Sequence, residues 1–218
     1  MIVPALIPQS SEHLAEALSE VSLWSAVVQV DIVDGVFVPH TSWPYTGGAL
    51  DDIAVFSDIL DIEVDLMIDA PERVIAEYLS RGVRRVVIHL ESTRNVPAIV
   101  ALKQRYDFKL GFSIGNDTSL AVLEDVIGYA DYAQLMGIAD IGSQGQPFDN
   151  RVLERISLLK ERHTALPISI DGSVNAETLP LLVAAGADRF VVGSAILAAS
   201  DPREAFLQLS AHISTEFE

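Results

Sequence analysis

The chain contains no cysteine and only three lysines in its 218 residues. The absence of cysteine excludes disulfide bonds, thiolate nucleophiles and cysteine-ligated zinc. None of the lysines, Lys103, Lys109 and Lys160, lies at the carboxyl end of a predicted strand. A Schiff-base enzyme, which needs a buried lysine at its active site, is therefore not indicated. Any acid–base chemistry has to come from other side chains, and carboxylates are abundant.

Long apolar runs and an excess of basic residues are missing as well. No apolar stretch approaches the roughly 18 residues that a membrane span needs, and the first residues resemble no signal peptide. The formal net charge of −17 repels phosphate backbones and anionic membranes. We therefore expect a cytoplasmic protein that binds neither nucleic acid nor membranes.

Short β-type runs alternate with helical stretches along the whole sequence. The runs with the composition of buried strands are 2–7, 27–33, 62–68, 85–90, 110–114, 131–136, 168–171 and 189–192. The predicted helices are 12–23, 71–80, 120–129, 151–163, 176–185 and 203–213. Eight strand–helix units in about 220 residues match the number of units and the length of a (β/α)8 barrel. A doubly wound open sheet needs only five or six strands. The sequence predicts an α/β fold, a single (β/α)8 TIM barrel domain over residues 1–218.

Polar residues at the ends of the predicted strands are the candidates for chemistry, because barrel active sites lie there. Asp31, Asp65 and Asp171 come from three different strands and should meet at one mouth. Buried carboxylates are unfavourable unless they are paired, protonated or bound to a cation. The alternative for each is a helix cap or a loop hydrogen bond, and it carries most weight for Asp65.

Two glycine–serine steps follow the last two predicted strands, Gly172-Ser173 and Gly193-Ser194. Glycine lets the backbone approach a ligand closely, and the amides and hydroxyls would donate to phosphate oxygens. One such step alone is more often an ordinary turn. Two of them at these strand ends, where many barrels hold phosphate, predict a phosphate site.

Residues 27–40, VVQVDIVDGVFVPH, resemble the signature of the ribulose-phosphate 3-epimerase family, roughly His-x-Asp-hydrophobic-Met-Asp-Gly-x-Phe-Val-Pro-Asn. Segments 65–72, 170–175 and 185–196 resemble the family too, in the same order, so the resemblance covers nearly the whole chain. It implies epimerisation of a ketose phosphate next to its carbonyl, with two aspartates that remove and return the proton. These aspartates map to Asp31 and Asp171.

The loop after the sixth predicted strand is glycine-rich, as it is in the family. Its glycines Gly142 and Gly145 are predicted to bind the substrate phosphate together with Gly172, Ser173, Gly193 and Ser194. A glycine-rich loop at this position is also typical of a lid that closes over a bound substrate. We therefore expect residues 142–145 to close over the site.

The resemblance also implies a divalent metal held by two histidines and the two aspartates, and here the sequence departs from the family. Gln29 and Asp65 stand at the two histidine positions, so the nitrogen ligands that suit zinc or iron are gone. Two alternatives stay open. Mg²⁺ or Mn²⁺ binds near Asp31, Asp65 and Asp171, or no metal binds and crowding keeps one aspartate protonated near neutral pH. The second is favoured, because glutamine is a poor metal ligand.

The sequence thus predicts an isomerase similar to ribulose-phosphate 3-epimerase, whose partner is a small sugar phosphate. The alternative is a phosphate-binding barrel of the same family that has lost catalysis, as the missing histidines would allow. Retention of Asp31 and Asp171 speaks against it, because a binding module has no need to crowd carboxylates. The sequence leaves the identity of the sugar and the presence of a homo-oligomer open.

Overall fold

A computed structural model gives the structure of residues 1–142 and 145–214. Within these residues eight parallel strands follow one another in chain order and close into a barrel. The strands are β1 (Ile2–Leu6), β2 (Val27–Val33), β3 (Asp61–Met67), β4 (Arg85–His89), β5 (Lys109–Ile114), β6 (Tyr132–Met136), β7 (Ile168–Asp171) and β8 (Arg189–Val192). The predicted (β/α)8 fold is confirmed, and each predicted strand end is within one residue of its place. That the chain forms a single domain stays a prediction.

Helices surround the barrel. The α-helices are α1 (Ser11–Val21), α2 (Asp51–Ala54), α3 (Ile75–Leu79), α4 (Val96–Ala101), α5 (Leu120–Glu124), α6 (Arg151–Arg162), α7 (Leu179–Ala185), α8 (Ser194–Leu197) and α9 (Pro202–Ser214). Short 3-10 helices span Pro71–Arg73, Leu102–Gln104 and Ile127–Tyr129. Across the described part of the chain, none of the helices is both long and apolar enough to cross a bilayer.

Two of the predicted helices, 71–80 and 120–129, are each divided into an α-helical and a 3-10 segment. The breaks fall at Val74 and Val126, whose φ values of −120° and −117° are far from the helical value of about −63°. Helix α1 begins at Ser11, one residue before the predicted start, and the side chain of Ser10 caps it by accepting a hydrogen bond from the His13 nitrogen. Such ends depend on local hydrogen bonds that hydrophobic periodicity does not encode.

The inside of the barrel is largely polar, whereas the layer between the strands and helices is aliphatic. Fully buried polar side chains are contributed by β2, β3, β4, β5, β6 and β7, namely Gln29, Glu63, Asp65, His89, Ser113, Gln134 and Ser169. Buried polar groups are unfavourable without hydrogen bonds. The interior groups therefore have to hold one another in place, which fixes their positions.

A buried ion pair lies inside the barrel on the side away from the carboxyl ends of the strands. Arg189 Nη2 donates to Glu63 Oε2 at 2.9 Å, and the Tyr132 hydroxyl donates to the same oxygen at 2.7 Å. The Arg189 guanidinium also lies 4.6 Å from the centre of the Tyr132 ring. Burial, together with the adjacent Glu63 carboxylate, raises the pKa of the Tyr132 hydroxyl. This cluster joins β3, β6 and β8 beneath the mouth of the barrel.

We expect Glu63→Gln to lower the free energy of unfolding by about 3 kcal/mol, because Arg189 would stay buried without a carboxylate partner. Glu77→Gln is the matched control, since it removes the same charge from an exposed position on α3 and should change stability by less than about 0.5 kcal/mol. Urea unfolding followed by circular dichroism measures both. Equal losses in the two variants would contradict the importance of the buried pair.

Candidate active site

The carboxyl ends of the strands enclose a cavity of about 280 Å³. Asp31 at the end of β2 and Asp171 at the end of β7 both line it. So do all the residues predicted to bind phosphate: Gly142, Gly145, Gly172, Ser173, Gly193 and Ser194. Residues 143 and 144 of the predicted closing loop lie outside the described residues. The structure thus brings the two candidate acid–base groups and the glycine-rich loops to one cavity.

A single amide joins the two aspartates. Gln29 Nε2 donates to Asp31 Oδ1 at 2.9 Å and to Asp171 Oδ2 at 2.8 Å. Gln29 and Asp31 lie two residues apart on β2, so their side chains point the same way. Both hydrogens of the amide are used in these bonds. The sequence indicated that Gln29 and Asp31 share a direction, but it did not indicate this bridge.

Asp65 is held by a separate pair of partners. His89 Nε2 lies 3.0 Å from Asp65 Oδ1, and Gln134 Nε2 donates to Asp65 Oδ2 at 2.8 Å. Burial alone would lower the pKa of His89, but the adjacent Asp65 carboxylate and the charges of Glu91 and Asp171 together raise it. No role for Gln134 was predicted from the sequence. Because Gln134 lies two residues before Met136 on β6, strand alternation would have indicated that both side chains point into the barrel.

Burial raises the pKa of both cavity aspartates. The pKa of Asp31 lies well above its ordinary value because of desolvation and the nearby charges of Asp171 and Asp65. The pKa of Asp171 is raised to about 7 by desolvation and by Asp65. The Gln29 hydrogen bonds offset part of each shift. The two carboxyls titrate as a pair, and these raised pKa values favour a state near neutral pH in which the pair holds one proton and one negative charge.

The loop after β2 is fixed by Asp34, the second aspartate of the signature segment. Its Oδ1 accepts from the backbone nitrogens of Val36 and Phe37 at 2.8 and 3.0 Å. Its Oδ2 accepts from the Asp69 nitrogen at 2.8 Å, in the loop after β3. Asp34 therefore serves as a turn residue that ties two loops together, and it does not line the cavity.

The loops after β6 and β7 pack backbone against backbone. The Gly137 nitrogen donates to the Asp171 carbonyl at 2.7 Å, and a Cβ atom at Gly137 would lie 2.1 Å from the Gly172 carbonyl oxygen. Gly172 and Ser173 have φ values of 98° and 53°, in the region that favours glycine. The Ser173 hydroxyl donates to the Gln146 carbonyl. These contacts fix the chain on both sides of Asp171 and so orient its carboxyl group.

We expect Gly137→Ala to lower the free energy of unfolding by about 2 kcal/mol, because the added methyl group would push the loop after β7 aside. Gly128→Ala is the control, since nothing lies within 4 Å of a Cβ atom there, and its effect should stay within about 0.5 kcal/mol. Thermal and urea unfolding measure both variants. A Gly137→Ala protein as stable as wild type would show that these loops are not in close contact.

Comparison with known proteins identifies the sequence family of this chain. The model of the ribulose-phosphate 3 epimerase family matches residues 1–197. The chain belongs to this family. Its relatives include the ribulose-phosphate 3-epimerase of Aquifex aeolicus, 32% identical over 179 residues, 80% of this chain and 79% of the relative. The ribulose-phosphate 3-epimerase of Bacillus subtilis is 29% identical over 215 residues, 95% of this chain and 97% of the relative.

Solved structures agree on the fold. The structure of 3-hexulose-6-phosphate synthase from Salmonella typhimurium superposes with a TM-score of 0.74 at 15% identity, over 98% of each chain. That of 3-keto-L-gulonate-6-phosphate decarboxylase from Vibrio cholerae gives 0.74 at 13% identity, over 99% of this chain and 97% of the other. At such identity the likeness concerns the barrel alone, and the family assignment rests on the sequence match.

The residues present do not fit the metal that the family implies. One carboxylate oxygen from each of Asp31, Asp65 and Asp171 lies within 4.8 Å of the others, a spacing that a shared cation would allow. However, the group that faces Asp31 and Asp171 is the Gln29 nitrogen, which is a hydrogen-bond donor and no ligand. Both oxygens of Asp65 already accept hydrogen bonds. A cation here would therefore meet the amide hydrogens of Gln29 in place of a ligand, and it would compete with the hydrogen-bond partners of Asp65.

Proposed function

We propose that the protein epimerises a ketose phosphate by proton transfer at the carbon next to the carbonyl, with Asp31 and Asp171 as the two acid–base groups. The observation that carries the proposal is the pair formed by the buried Asp31 and the half-buried Asp171 on two walls of one cavity, joined by Gln29. Relatives across nearly the whole chain are named ribulose-phosphate 3-epimerase, which supports ribulose 5-phosphate as the substrate to test first.

The shared proton of the pair suits this reaction. The ionised aspartate takes the proton from the substrate carbon, and the electron pair moves to the carbonyl oxygen to give an enediolate. The protonated aspartate then returns its proton to the same carbon from the opposite face, which inverts the stereocentre. The pair ends with its proton on the other carboxyl group, ready for the reverse reaction. Asp31 and Asp171, with raised pKa values, can exchange these roles near neutral pH.

The phosphate group is proposed to lie against the loops after β7 and β8. Gly172, Ser173, Gly193 and Ser194 line that side of the cavity, and among its described lining residues there is no lysine or arginine. Backbone N–H groups and hydroxyls would therefore hold the phosphate. Gly142 and Gly145, on the same cavity, are proposed to contribute from the loop after β6.

The remaining expectations concern partners and location. The family match supports a small sugar phosphate as the partner. With a net charge of −17, we expect no nucleic acid or membrane to bind. The cytoplasm is the expected compartment, and the question of a homo-oligomer remains open. A barrel that only binds its ligand, the alternative reading of the missing histidines, has less support because relatives spanning the chain are named as epimerases.

Solvent-hydrogen exchange tests the proposal. In D₂O with ribulose 5-phosphate, each molecule of C3-epimerised product should carry one solvent deuterium at that carbon, as measured by NMR. Replacement of Asp31 or Asp171 with asparagine should slow the formation of this product by about 10³-fold or more. Thermal stabilisation by ribulose 5-phosphate and related ketose phosphates without any exchange would favour the binding-only alternative and overturn the proposal.

A further inference from the structure

We propose that this chain carries out its chemistry without a metal ion, and that Gln29 is a positioning residue that holds Asp31 and Asp171 at a fixed separation in place of one. The inference rests on the proposed function and deepens it. The family implies a metal at this point of the barrel, whereas this sequence has Gln29 and Asp65 where the family has two ligand histidines.

The orientation of the Gln29 amide is the first support. Its nitrogen lies 2.9 and 2.8 Å from oxygens of the two aspartates, whereas its oxygen is buried and has no hydrogen-bond partner among the described residues. With the amide reversed, its oxygen would lie at those distances from two carboxyl oxygens, and the contact with the ionised carboxylate would be repulsive. A metal ligand would have to present the oxygen, so this orientation serves the aspartates and not a cation.

The second support is the division of the carboxyl oxygens. Gln29 occupies Oδ1 of Asp31 and Oδ2 of Asp171. Within residues 1–142 and 145–214, no hydrogen bond engages Asp31 Oδ2 or Asp171 Oδ1. Each aspartate therefore keeps one oxygen for the substrate proton while the other oxygen is anchored. A metal in the same place would likewise use one oxygen of each carboxyl group, so the amide reproduces its geometric role.

The third support is the placement of Asp65. It is fully buried, it is absent from the cavity lining, and His89 and Gln134 bind its two oxygens. Coordination of a cation by Asp65 would compete with these hydrogen bonds inside the barrel. Because lost hydrogen bonds in a buried network are costly, we infer that Asp65 stabilises the barrel interior beneath the site and does not bind a cation.

Metal analysis of the wild-type protein is the first test. After incubation with Mg²⁺, Mn²⁺ or Zn²⁺ and gel filtration, we expect well below one bound ion per chain, no change in thermal midpoint with added ions, and an unchanged exchange rate after chelation. One bound ion per chain that Asp31→Asn removes would overturn the inference. The ion measurements need no substrate, so they are separate from failure of the proposed function, which is absence of solvent exchange.

Restoring the family ligands gives a positive control for this test. The double variant Gln29→His, Asp65→His presents two imidazoles beside Asp31 and Asp171, a ligand set that suits zinc and cobalt. We expect visible Co²⁺ absorption from the variant and none from the wild-type protein. The same spectrum from wild type would overturn the inference.

Gln29→Met tests the positioning role, because it keeps the length of the side chain and removes both donors. We expect kcat to fall about 100-fold through misplaced carboxyl groups, with a smaller change in KM. The acid limb of the pH profile should move to higher pH, because the lost bonds favour the ionised carboxyls. Gln134→Met, which removes an equally buried amide that donates to Asp65 and makes no hydrogen bond to Asp31 or Asp171 in the described part of the chain, should shift the limb less. An unshifted limb and an unchanged kcat for Gln29→Met would overturn the role. If the variant does not fold, wild-type metal content decides.

Discussion

Replacing Asp31 with asparagine should slow epimerisation by about 10³-fold or more, and replacing Asp171 should have an effect of the same order. Each substitution removes one of the two groups between which the proton must pass, while the asparagine oxygen can still accept the bond from Gln29. The rate is measured by NMR with ribulose 5-phosphate and with its C3 epimer. Asp117→Asn is the control, because that exposed side chain pairs with Arg151 outside the cavity.

The two variants should also differ from each other. Each keeps a base on one face of the substrate, so each should exchange the C3 hydrogen of one epimer with solvent and leave the other epimer unlabelled. Asp31→Asn and Asp171→Asn should therefore show opposite preferences. If both variants label the same epimer, or both epimers equally, the assignment of one aspartate to each face is wrong.

The second large effect is a dependence on pH that ordinary aspartates would not produce. Because the pKa of Asp171 is about 7 and that of Asp31 is raised as well, both carboxyls are protonated in acid and neither can act as the base. We expect kcat/KM to fall about tenfold per pH unit as the pH drops below about 7. A rate that stays level down to about pH 5, where an unperturbed aspartate is still ionised, would contradict this expectation.

Folding stability gives an independent measure of the same shift. A carboxyl group with a raised folded-state pKa binds more protons in the folded than in the unfolded protein, so its contribution favours folding in acid. That contribution is lost as the pH rises from about 3.8 through about 7. The free energy of unfolding of Asp171→Asn, relative to wild type, should therefore increase over this range. A difference that is independent of pH would mean that the pKa of Asp171 is not raised.

Much of this arrangement was predictable because a barrel strand has a simple period. Alternation along a strand gives the direction of each side chain, and the carboxyl end of each strand gives the mouth. These two rules placed Asp31, Asp171 and the glycine-rich steps at one end of the barrel, and these residues line a common cavity there. They also placed Gln29 beside Asp31, on the same face of β2.

The contacts across the barrel were beyond these rules. Strands β1 and β8 lie between β2, which carries Gln29, and β7, which carries Asp171. The distance between these two side chains therefore depends on the tilt and stagger of the strands, which hydrophobic periodicity does not predict. The same holds for the pairing of Asp65 with His89 and with Gln134. A single sequence marks such residues as inward-facing, but the partner of each appears only once the barrel is closed.

Asp34 shows how the signature segment is divided between architecture and chemistry. Both of its carboxyl oxygens bind backbone nitrogens of the loops after β2 and β3, so the Asp-Gly-x-Phe-Val-Pro part of the motif encodes the shape of the barrel rim. Position 29, which carries an amide here and a histidine in the family signature, takes no part in those rim hydrogen bonds. Proteins grouped by the rim motif would thus share a scaffold while differing in their cofactor requirement, and residue 29 is the position by which to sort them.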